Sequence, residues 1–504
     1  MLNLRDYQAK IIQLLVHAIK ADGFKAPLVV SPTGSGKTVI FAFLSMRAVK
    51  KGKRVLILTH RREILQQTMA KLLSFSVNAS RVLSGKKIIS NPVMVAMIGT
   101  LKNRLDEISR PDLIIIDEAH HAVSNSWKKV ILYFEDVLRI GFTATAERFD
   151  GSGLIEIFDT IIMGETASSL IKRGYLCGVK YYEGQNLKQE QEKIKVTRGD
   201  YDKKDQTTKM TKPVVIGSVV DEYRDKADGK PGIYFCASIN HCEIMEKSFN
   251  DAGYRARTIK GDMKQSDRDD LLNGLVTGAV QVVLSCDVIS EGVDVPLVAV
   301  IGFLRLSKSL GLAIQMLGRG LRPVYTPGMP LDTVAQRLAS IAASTKPHCI
   351  VLDHCGLRHE HGWLLADRTY DLEAKKRSKR DDGCKKPEST VCPACSGVWP
   401  GLPDVCPDCG HNLFEERERA QGRKPPKEIE GILREFMLEE TPEYIQAVTD
   451  QAVSLQKMEK KDRMKAMVSN VYRYGRSERV KGLARVIGYS ENWVNATAYR
   501  IRKR

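Results

Sequence analysis

A glycine-rich stretch, S-P-T-G-S-G-K-T at residues 31–38, directly follows an apolar run and precedes a helical pattern. Glycines let backbone N–H groups turn inward onto phosphate oxygens, and the N-terminus of a helix adds positive potential there. The amine of Lys37 would reach the terminal phosphates of a nucleotide, and the hydroxyl of Thr38 would hold Mg²⁺. The first position is Ser31 where the strict phosphate-loop pattern has glycine, but the core G-x-G-K-T is intact. The predicted phosphate contacts are Thr33, Gly34, Ser35, Gly36, Lys37 and Thr38.

An acidic tetrapeptide, D-E-A-H at residues 117–120, ends the apolar run L-I-I-I. Such a run predicts a buried strand, and ligands bind beyond the carboxyl ends of the strands in open α/β sheets. Asp117 fits a Mg²⁺ ligand, and Glu118 fits the residue that polarises an attacking water. Alone, the tetrapeptide could be an ordinary acidic strand end. The phosphate loop upstream of it favours the catalytic interpretation.

Two C-x₂-C pairs, Cys392 with Cys395 and Cys406 with Cys409, are separated by ten residues. Thiolates at this spacing can close a tetrahedral Zn²⁺ site between two opposed knuckles, which predicts a structural zinc ribbon. The alternatives are paired disulfides or free thiols, and both fit an intracellular protein badly. Cys384 and His411 are alternative ligands.

The chain has 504 residues and a net charge of +18, and residues 457–504 hold 14 basic and 4 acidic side chains. A local basic excess favours a polyanionic partner over a generally basic surface. Residues 480–504 resemble two short helices around a turn, loosely like a helix-turn-helix. Arg500, Arg502 and Lys503 would then lie near a phosphate backbone. The alternative is a solvated basic helix.

Short apolar runs alternate with longer amphipathic stretches, which predicts parallel strands joined by helices that cover both faces of a sheet. The fold class is therefore α/β, with two such units in tandem. Residues 185–212 are polar and predict an exposed excursion. The strands are predicted at residues 28–30, 54–59, 93–97, 113–116 and 139–142, then at 233–236, 257–259, 280–285, 298–303 and 350–353, with helices at 37–50 and 62–73.

The motifs, in this order, resemble those of the superfamily 2 helicases of the DEAD/DEAH-box kind. That group holds phage and bacterial repair-type helicases and restriction-enzyme motor subunits. The resemblance covers about residues 1–365, and many relatives have threonine where Cys286 stands, beside Ser285. Besides the phosphate loop and D-E-A-H, the matching segments are L-R-D-Y-Q (4–8), L-T-H-R-R-E (58–63), I-G-T (98–100), T-A-T (143–145), I-Y-F-C-A-S (233–238), S-C-D-V-I-S-E-G-V-D-V-P (285–296) and Q-M-L-G-R-G-L-R-P (315–323).

The resemblance implies two RecA-like lobes with ATP bound between them. Arg319 and Arg322 of the second lobe would stabilise charge on the transferring phosphate, with phosphate-backbone binding as their alternative role. Gln315 would help to position water. Further nucleotide contacts would be Gln8 at the base, Gly292 and Asp294, and the nucleic-acid contacts would include Arg61, Thr100 and Ser238.

The domain organisation that we predict has five parts. Residues 1–165 form the ATP-binding RecA-like lobe, 166–370 the second RecA-like lobe, 371–388 a basic linker, 389–414 the zinc ribbon and 415–504 a helical basic nucleic-acid-binding region.

The predicted function is that of a DNA-dependent ATPase with helicase or translocase activity, in replication, recombination or repair. Its cofactors would be ATP, Mg²⁺ and structural Zn²⁺, and its partner single-stranded, forked or branched DNA. An RNA helicase, or the ATPase motor or switch of a defence or restriction complex, is the alternative. Protein partners would be a nuclease or replication and recombination factors. No signal peptide or membrane span is evident, so we expect the cytoplasm of a bacterium or a phage-infected cell.

Overall fold

The computed structural model describes residues 4–146, 153–183, 194–197, 200–211, 213–286, 295–373 and 389–414. The chain divides into two compact units, Met1–Phe414 and Glu415–Arg504. The predicted C-terminal region, with Arg500, Arg502 and Lys503, lies outside the described residues, and so do Gly292 and Asp294.

The first lobe is a parallel sheet of seven strands, and its apolar strands explain why helices cover both faces. Leu113 and Ile115 enter the core on one face, and Ile114 and Ile116 enter the core on the other, as strand alternation requires. Its elements are α1 (Asp6–Lys20), β1 (Pro27–Val30), α2 (Lys37–Val49), β2 (Val55–Thr59), α3 (Arg62–Ser74), β3 (Ala79–Val82), β4 (Val93–Met97), α4 (Ile98–Leu101), β5 (Leu113–Asp117), α5 (Asn125–Tyr133), β6 (Leu138–Thr143) and β7 (Thr160–Met163). The strand order is β3-β4-β2-β5-β6-β1-β7.

The second lobe is a mixed sheet of eight strands with the same alternation of strand and helix. Its elements are α6 (Ala167–Lys172), β8 (Gly178–Glu183), β9 (Val196–Thr197), β10 (Asp200–Tyr201), α7 (Lys203–Met210), α8 (Pro213–Ala227), β11 (Gly232–Cys236), α9 (Ile239–Asp251), β12 (Ala256–Ile259), α10 (Gln265–Thr277), β13 (Val282–Ser285), β14 (Val300–Leu304), α11 (Leu310–Gly318), α12 (Val334–Ala342), β15 (His348–Asp353), α13 (Leu357–His361), β16 (Ser389–Val391) and β17 (Gly397–Pro400). The strand order is β12-β13-β11-β14-β15-β8-β17-β16, and β9 and β10 form a separate hairpin. The predicted fold class, α/β with two RecA-like lobes, is confirmed.

The cysteine-rich module is built onto the sheet of the second lobe. Strand β17 pairs antiparallel with β8, with Gly397 opposite Tyr182 and Val398 opposite Tyr181. The backbone N–H of Glu183 also donates to the carbonyl of Ser396 at 3.1 Å. The module therefore continues the sheet instead of standing apart from it.

After α13 the chain returns to the first lobe. The carbonyl of Leu372 accepts hydrogen bonds from the backbone N–H groups of Leu154 and Ile155 at 2.7 and 3.0 Å. The side chain of Leu372 is buried in the first-lobe core. The predicted linker, residues 371–388, thus contains an anchored residue near its start, and residues 374–388 lie outside the described part.

Within the described part of the chain, no helix has both the length and the apolar character needed to cross a membrane.

Candidate functional site

The phosphate loop joins β1 to α2 at the carboxyl edge of the first-lobe sheet. Gly34 and Gly36 have φ angles of 84° and 82°, a region that glycine enters without the steric cost of a side chain. Ser31, which replaces the expected glycine, donates from its hydroxyl to Ser35 Oγ at 2.8 Å. Ser35 Oγ in turn donates to the carbonyl of Pro32 at 2.7 Å. The departure from the strict pattern therefore gives the loop an internal hydrogen bond.

The start of α1 holds this loop in place. The hydroxyl of Tyr7 donates to the carbonyl of Ser35 at 2.8 Å, and Gln8 Nε2 donates to the same oxygen at 3.1 Å. The other end of the Gln8 amide accepts from the N–H of Arg5 at 3.0 Å. A methyl group at Gly36 would lie 2.5 Å from Gln8 Nε2. Gln8 thus packs directly against the loop, and its contact with a nucleotide base stays a prediction.

The amine of Lys37 contacts the backbone of the phosphate loop. Its Nζ donates to the carbonyl of Ser31 at 3.1 Å. Burial lowers the pKa of Lys37, against the attraction of Glu118 and Asp117, and the charges of Arg319 and Arg322 lower it further. Four of the predicted catalytic charges therefore act on this one amine.

The acidic pair lies at the end of β5. Burial raises the pKa of Asp117 to about 7, and the charge of Glu118 adds to the shift while Lys37 opposes it. Glu118 has a φ of 50°, a left-handed conformation that is costly for a residue other than glycine. Its N–H donates to Asp117 Oδ1 at 3.0 Å. The strained position is thus one of the two predicted catalytic carboxylates.

A chain of aromatic rings, which sequence reasoning missed, adjoins the acidic pair. His120 Nδ1 lies 3.5 Å from Glu118 Oε2 and 3.1 Å from the hydroxyl of Thr143. The His120 and His121 rings lie 4.1 Å apart, and the His121 and His60 rings 4.9 Å apart. His60 precedes the predicted strand contact Arg61. The second histidine after D-E-A was the available signal.

Helix α11 brings the second lobe onto this site. Gln315 Nε2 donates to Glu118 Oε2 at 3.3 Å. A methyl group at Gly318 would lie 2.4 Å from Thr33 Cβ, so the end of α11 touches the phosphate loop. Arg319 follows directly and is buried. The structure therefore brings α11 and its arginine to the phosphate loop and the acidic turn.

Lys346 is a buried residue that the motifs did not reveal. Its Nζ donates to the carbonyl of Arg322 at 2.8 Å and to that of Pro296 at 2.9 Å. Burial lowers the pKa of Lys346 and that of Arg322, the latter to about 10. Lys346 thus ties the backbone of the arginine motif to the end of the preceding motif.

The predicted nucleic-acid contacts that lie in the described residues follow the carboxyl ends of strands. Arg61 follows β2 and precedes α3, and Thr100 lies in α4 after β4. Ser238 caps α9 by accepting from the N–H of His241 at 3.1 Å. An ion pair between Glu63 and Arg268 joins the lobes. Contact of these residues with a strand stays a prediction.

The residue pair Ser285 and Cys286 lies at the end of β13. Ser285 is fully buried. The thiol of Cys286 donates to the carbonyl of Ala237 at 3.5 Å. The cysteine, which stands where many relatives have threonine, is thus directed at the loop between β11 and α9 of its own lobe.

The four cysteines of the C-x₂-C pairs converge. Their Sγ atoms all lie within 4.8 Å of one another. The Sγ atoms of Cys392 and Cys409 are 3.6 Å apart, and those of Cys395 and Cys406 are 3.7 Å apart. Sulfurs around a tetrahedral Zn²⁺ lie about 3.8 Å apart, whereas a disulfide needs about 2.05 Å. The residues therefore fit structural zinc, which would hold the two knuckles together.

The histidines of residues 354–361 have separate partners. His354 lies beside Glu222, His359 beside Glu183, and His361 beside the carbonyl of Ser307. Each of these three rings thus makes a separate structural contact.

We expect Cys392→Ser to lower bound zinc from about one ion per chain to a small fraction, because three thiolates hold Zn²⁺ less tightly than four. The melting temperature should fall as well, since the hairpin β16–β17 is paired with the second-lobe sheet. Metal analysis of the purified full chain measures the first effect and thermal unfolding the second. Cys384→Ser is the control. Zinc lost from the control and kept in Cys392→Ser would contradict the assignment.

Two family models match the chain. Residues 1–148 match the type III restriction enzyme, res subunit, and residues 214–324 match the helicase conserved C-terminal domain. A 51.5 kDa protein of a Lactococcus phage is 30% identical over 414 residues, which cover 81% of this chain and 82% of that protein. The putative ATP-dependent helicase IRC3 of Saccharomyces cerevisiae is 32% identical over 376 residues, covering 70% of this chain and 51% of the yeast protein. The chain thus spans about half the length of the yeast relative.

Solved structures share the fold. A fragment of a putative HsdR subunit of a type I restriction enzyme from Vibrio vulnificus has a TM-score of 0.55 at 19% identity, covering 74% of this chain and 67% of that one. The Type ISP restriction-modification enzyme LlaBIII bound to DNA has a TM-score of 0.50 at 15% identity, covering 69% of this chain and 27% of that one. At these identities the likeness concerns the two-lobed fold alone.

Proposed function

Because the chain belongs to the superfamily 2 helicases and is similar to restriction-enzyme motor subunits, we propose that it moves along DNA or separates its strands in replication, recombination or repair. The chain is an ATP-hydrolysing helicase. The choice of DNA and the cellular process are the proposal. The motor mechanism is carried by the hydrogen bond from Gln315 to Glu118 at 3.3 Å, which joins residues of two lobes in one site. The choice of DNA is carried by the structural neighbour LlaBIII, which is bound to DNA.

The division of roles follows from this split site. Lys37 would bind the terminal phosphates of ATP, and Thr38 with Asp117 would hold Mg²⁺, which neutralises phosphate charge when bound. Glu118 would orient the attacking water with the help of Gln315.

The arginines complete the site from the other lobe. Arg319 and Arg322 would stabilise charge on the transferring phosphoryl group. Because they come from the second lobe, hydrolysis requires lobe closure, and a strand that both lobes hold is moved by each cycle of closure and opening.

One comparison favours DNA over RNA. The structural neighbour LlaBIII carries DNA. The excess of 14 basic over 4 acidic side chains in residues 457–504 suits a phosphate backbone, although it does not distinguish the two polymers. Motors with D-E-A-H act on both polymers, so RNA stays the alternative.

A second candidate is the motor or ATPase switch of a defence or restriction complex. The match of residues 1–148 to the restriction-enzyme res subunit favours it. In that role the chain would supply ATP-driven movement and a partner protein would supply cleavage.

A panel of ATPase assays tests the proposal. ATP hydrolysis is measured without polymer and with single-stranded, duplex and forked DNA and RNA. We expect the largest stimulation with single-stranded or forked DNA, followed by ATP-dependent displacement of an annealed strand. Stimulation by RNA alone would contradict the choice of DNA, and hydrolysis without displacement or translocation would favour the switch.

A further inference from the structure

A short polar insert, residues 200–211 with helix α7, is fixed to the second lobe by buried polar groups. Gln206 is 1% exposed. Its Oε1 accepts from the N–H of Leu306 at 2.7 Å, and its Nε2 donates to the carbonyl of Tyr201 at 3.3 Å. A buried amide that is hydrogen-bonded at both ends fixes orientation. The insert is therefore a positioned element rather than the exposed excursion that its composition predicts.

The insert holds the loop that leads into α11. Asp200 accepts hydrogen bonds at both carboxylate oxygens, from the N–H of Lys308 at 2.7 Å and from the hydroxyl of Ser307 at 3.0 Å. With Leu306, these residues immediately precede α11, which carries Gln315 and ends before Arg319. The insert thus holds the segment just before α11, the helix that reaches the ATP site.

The other side of the insert reaches the predicted strand face. The hydroxyls of Thr207 and Ser238 are hydrogen-bonded, with the oxygens 2.8 Å apart. Ser238 is also engaged as the cap of α9. Its hydroxyl is thus already occupied by Thr207 and by the cap. The insert therefore reaches the face of the second lobe where a strand contact is predicted.

Two lysines stand at exposed positions of α7, whereas its Asp205 is paired with Lys209. Gln206 and Met210 are buried and lie four residues apart, on one face of the helix. Lys203, Lys204 and Thr208 are exposed. Both lysines lie within one turn of Thr207, whose hydroxyl contacts Ser238. Two adjacent ammonium groups at this place suit the oxygens of a sugar–phosphate backbone, and backbone contacts position a strand without reading its bases.

We propose that the insert binds the backbone of single-stranded DNA through Lys203 and Lys204. Its hydrogen bonds through Asp200 and Gln206 then couple strand binding to the position of α11. The inference rests on the proposed function, because it takes the face around Ser238 as the strand path. It assigns to the insert a coupling role, in which strand binding at α7 stabilises the position of Gln315 and Arg319.

The binding half is tested with the full-length double variant Lys203→Gln/Lys204→Gln. Binding of a fluorescent thymidine oligonucleotide is followed by anisotropy over a series of salt concentrations. Each phosphate contact with a single strand contributes about 0.7 to the slope of log K against log salt. We expect the slope to decrease by about 1.4, with weaker binding at low salt.

The matched control is Lys50→Gln/Lys51→Gln. These exposed lysines lie at the other end of α2 from the phosphate loop. Replacing them changes the net charge by the same amount as the α7 double variant does. The control should keep the wild-type slope and ATPase rate. An unchanged slope in the α7 variant, or an equal decrease in both variants, would overturn the proposal. If the wild-type chain binds RNA and not DNA, the choice of DNA fails, and the same comparison on an RNA strand decides whether the insert is the contact.

The coupling half is tested with Gln206→Met, which keeps the size of the side chain and removes both hydrogen bonds. The readout is the ratio of the ATPase rate at saturating DNA to the rate without DNA. We expect this ratio to fall about five- to tenfold, the effect of about one net hydrogen bond. A purely structural role would lower both rates alike and leave the ratio unchanged, which would overturn the coupling. Asp200→Asn, at a partly exposed position, is the second variant should Gln206→Met fail to fold.

Discussion

Replacing Arg319 by alanine is expected to lower kcat for ATP hydrolysis by about 10³–10⁵-fold, the range for arginine fingers in phosphoryl transfer. Arg319 is buried directly after α11, and its charge acts on the amine of Lys37. A guanidinium in this position stabilises negative charge that spreads over the phosphoryl oxygens in the transition state. Because that charge is smaller in the ground state, ATP binding should change far less than kcat.

The measurement is the steady-state ATPase rate at saturating polymer, together with the affinity for a fluorescent ATP analogue. Arg81→Ala, at an exposed position in β3, is the control for loss of one arginine. If Arg319 instead binds a phosphate backbone, the variant would weaken polymer binding and keep kcat at saturating polymer. That result would remove Arg319 from the catalytic site.

The second large effect concerns Lys37→Ala. We expect kcat to fall by about 10²–10³-fold or more, as when one preorganised charged donor is removed from an active site. Polymer binding should remain, because the predicted strand contacts lie in other elements. Burial lowers the pKa of Lys37 and so disfavours its charged form, whereas its hydrogen bond to the Ser31 carbonyl favours it. We therefore expect only a small change in the melting temperature.

ATP turnover and oligonucleotide binding are measured on the same preparation of Lys37→Ala, with thermal unfolding as the check of the fold. Lys53→Ala is the control, because Lys53 pairs with Asp112 on the surface. A Lys37→Ala chain that still hydrolysed ATP at the wild-type rate would show that the nucleotide site has been assigned to the wrong loop.

The central strands are predicted well from the sequence, because a strand that is buried on both faces consists of a continuous apolar run. The predicted strand at residues 54–59 is observed as Val55–Thr59, and the one at 113–116 as Leu113–Asp117. Strand β8, Gly178–Glu183, was not predicted. It mixes Lys180 and Glu183 with tyrosines, and Glu183 is buried only because Arg358 and His359 bind its carboxylate. A pattern of hydrophobicity does not contain such partners.

The candidate site likewise has parts that were predictable from the sequence and parts that were not. The phosphate loop and D-E-A-H are local patterns, so their positions after β1 and β5 were predictable. The hydrogen bond from Gln315 to Glu118 joins residues 197 positions apart. In the sequence, only the resemblance to the helicase family placed these two residues in the same site. Lys346 belongs to no motif, because its role depends on two backbone carbonyls that the fold brings to it.

The return of the chain after α13 has a mechanical consequence. The chain crosses to the second lobe after β7, comes back to the first lobe at Leu372, which binds Leu154 and Ile155, and is in the second-lobe sheet again at β16. Each crossing shortens the stretch of chain that separates the lobes, and a short tether raises the effective concentration of one lobe at the other. Arg319 would therefore return to the nucleotide from a narrower range of positions than a single tether would allow.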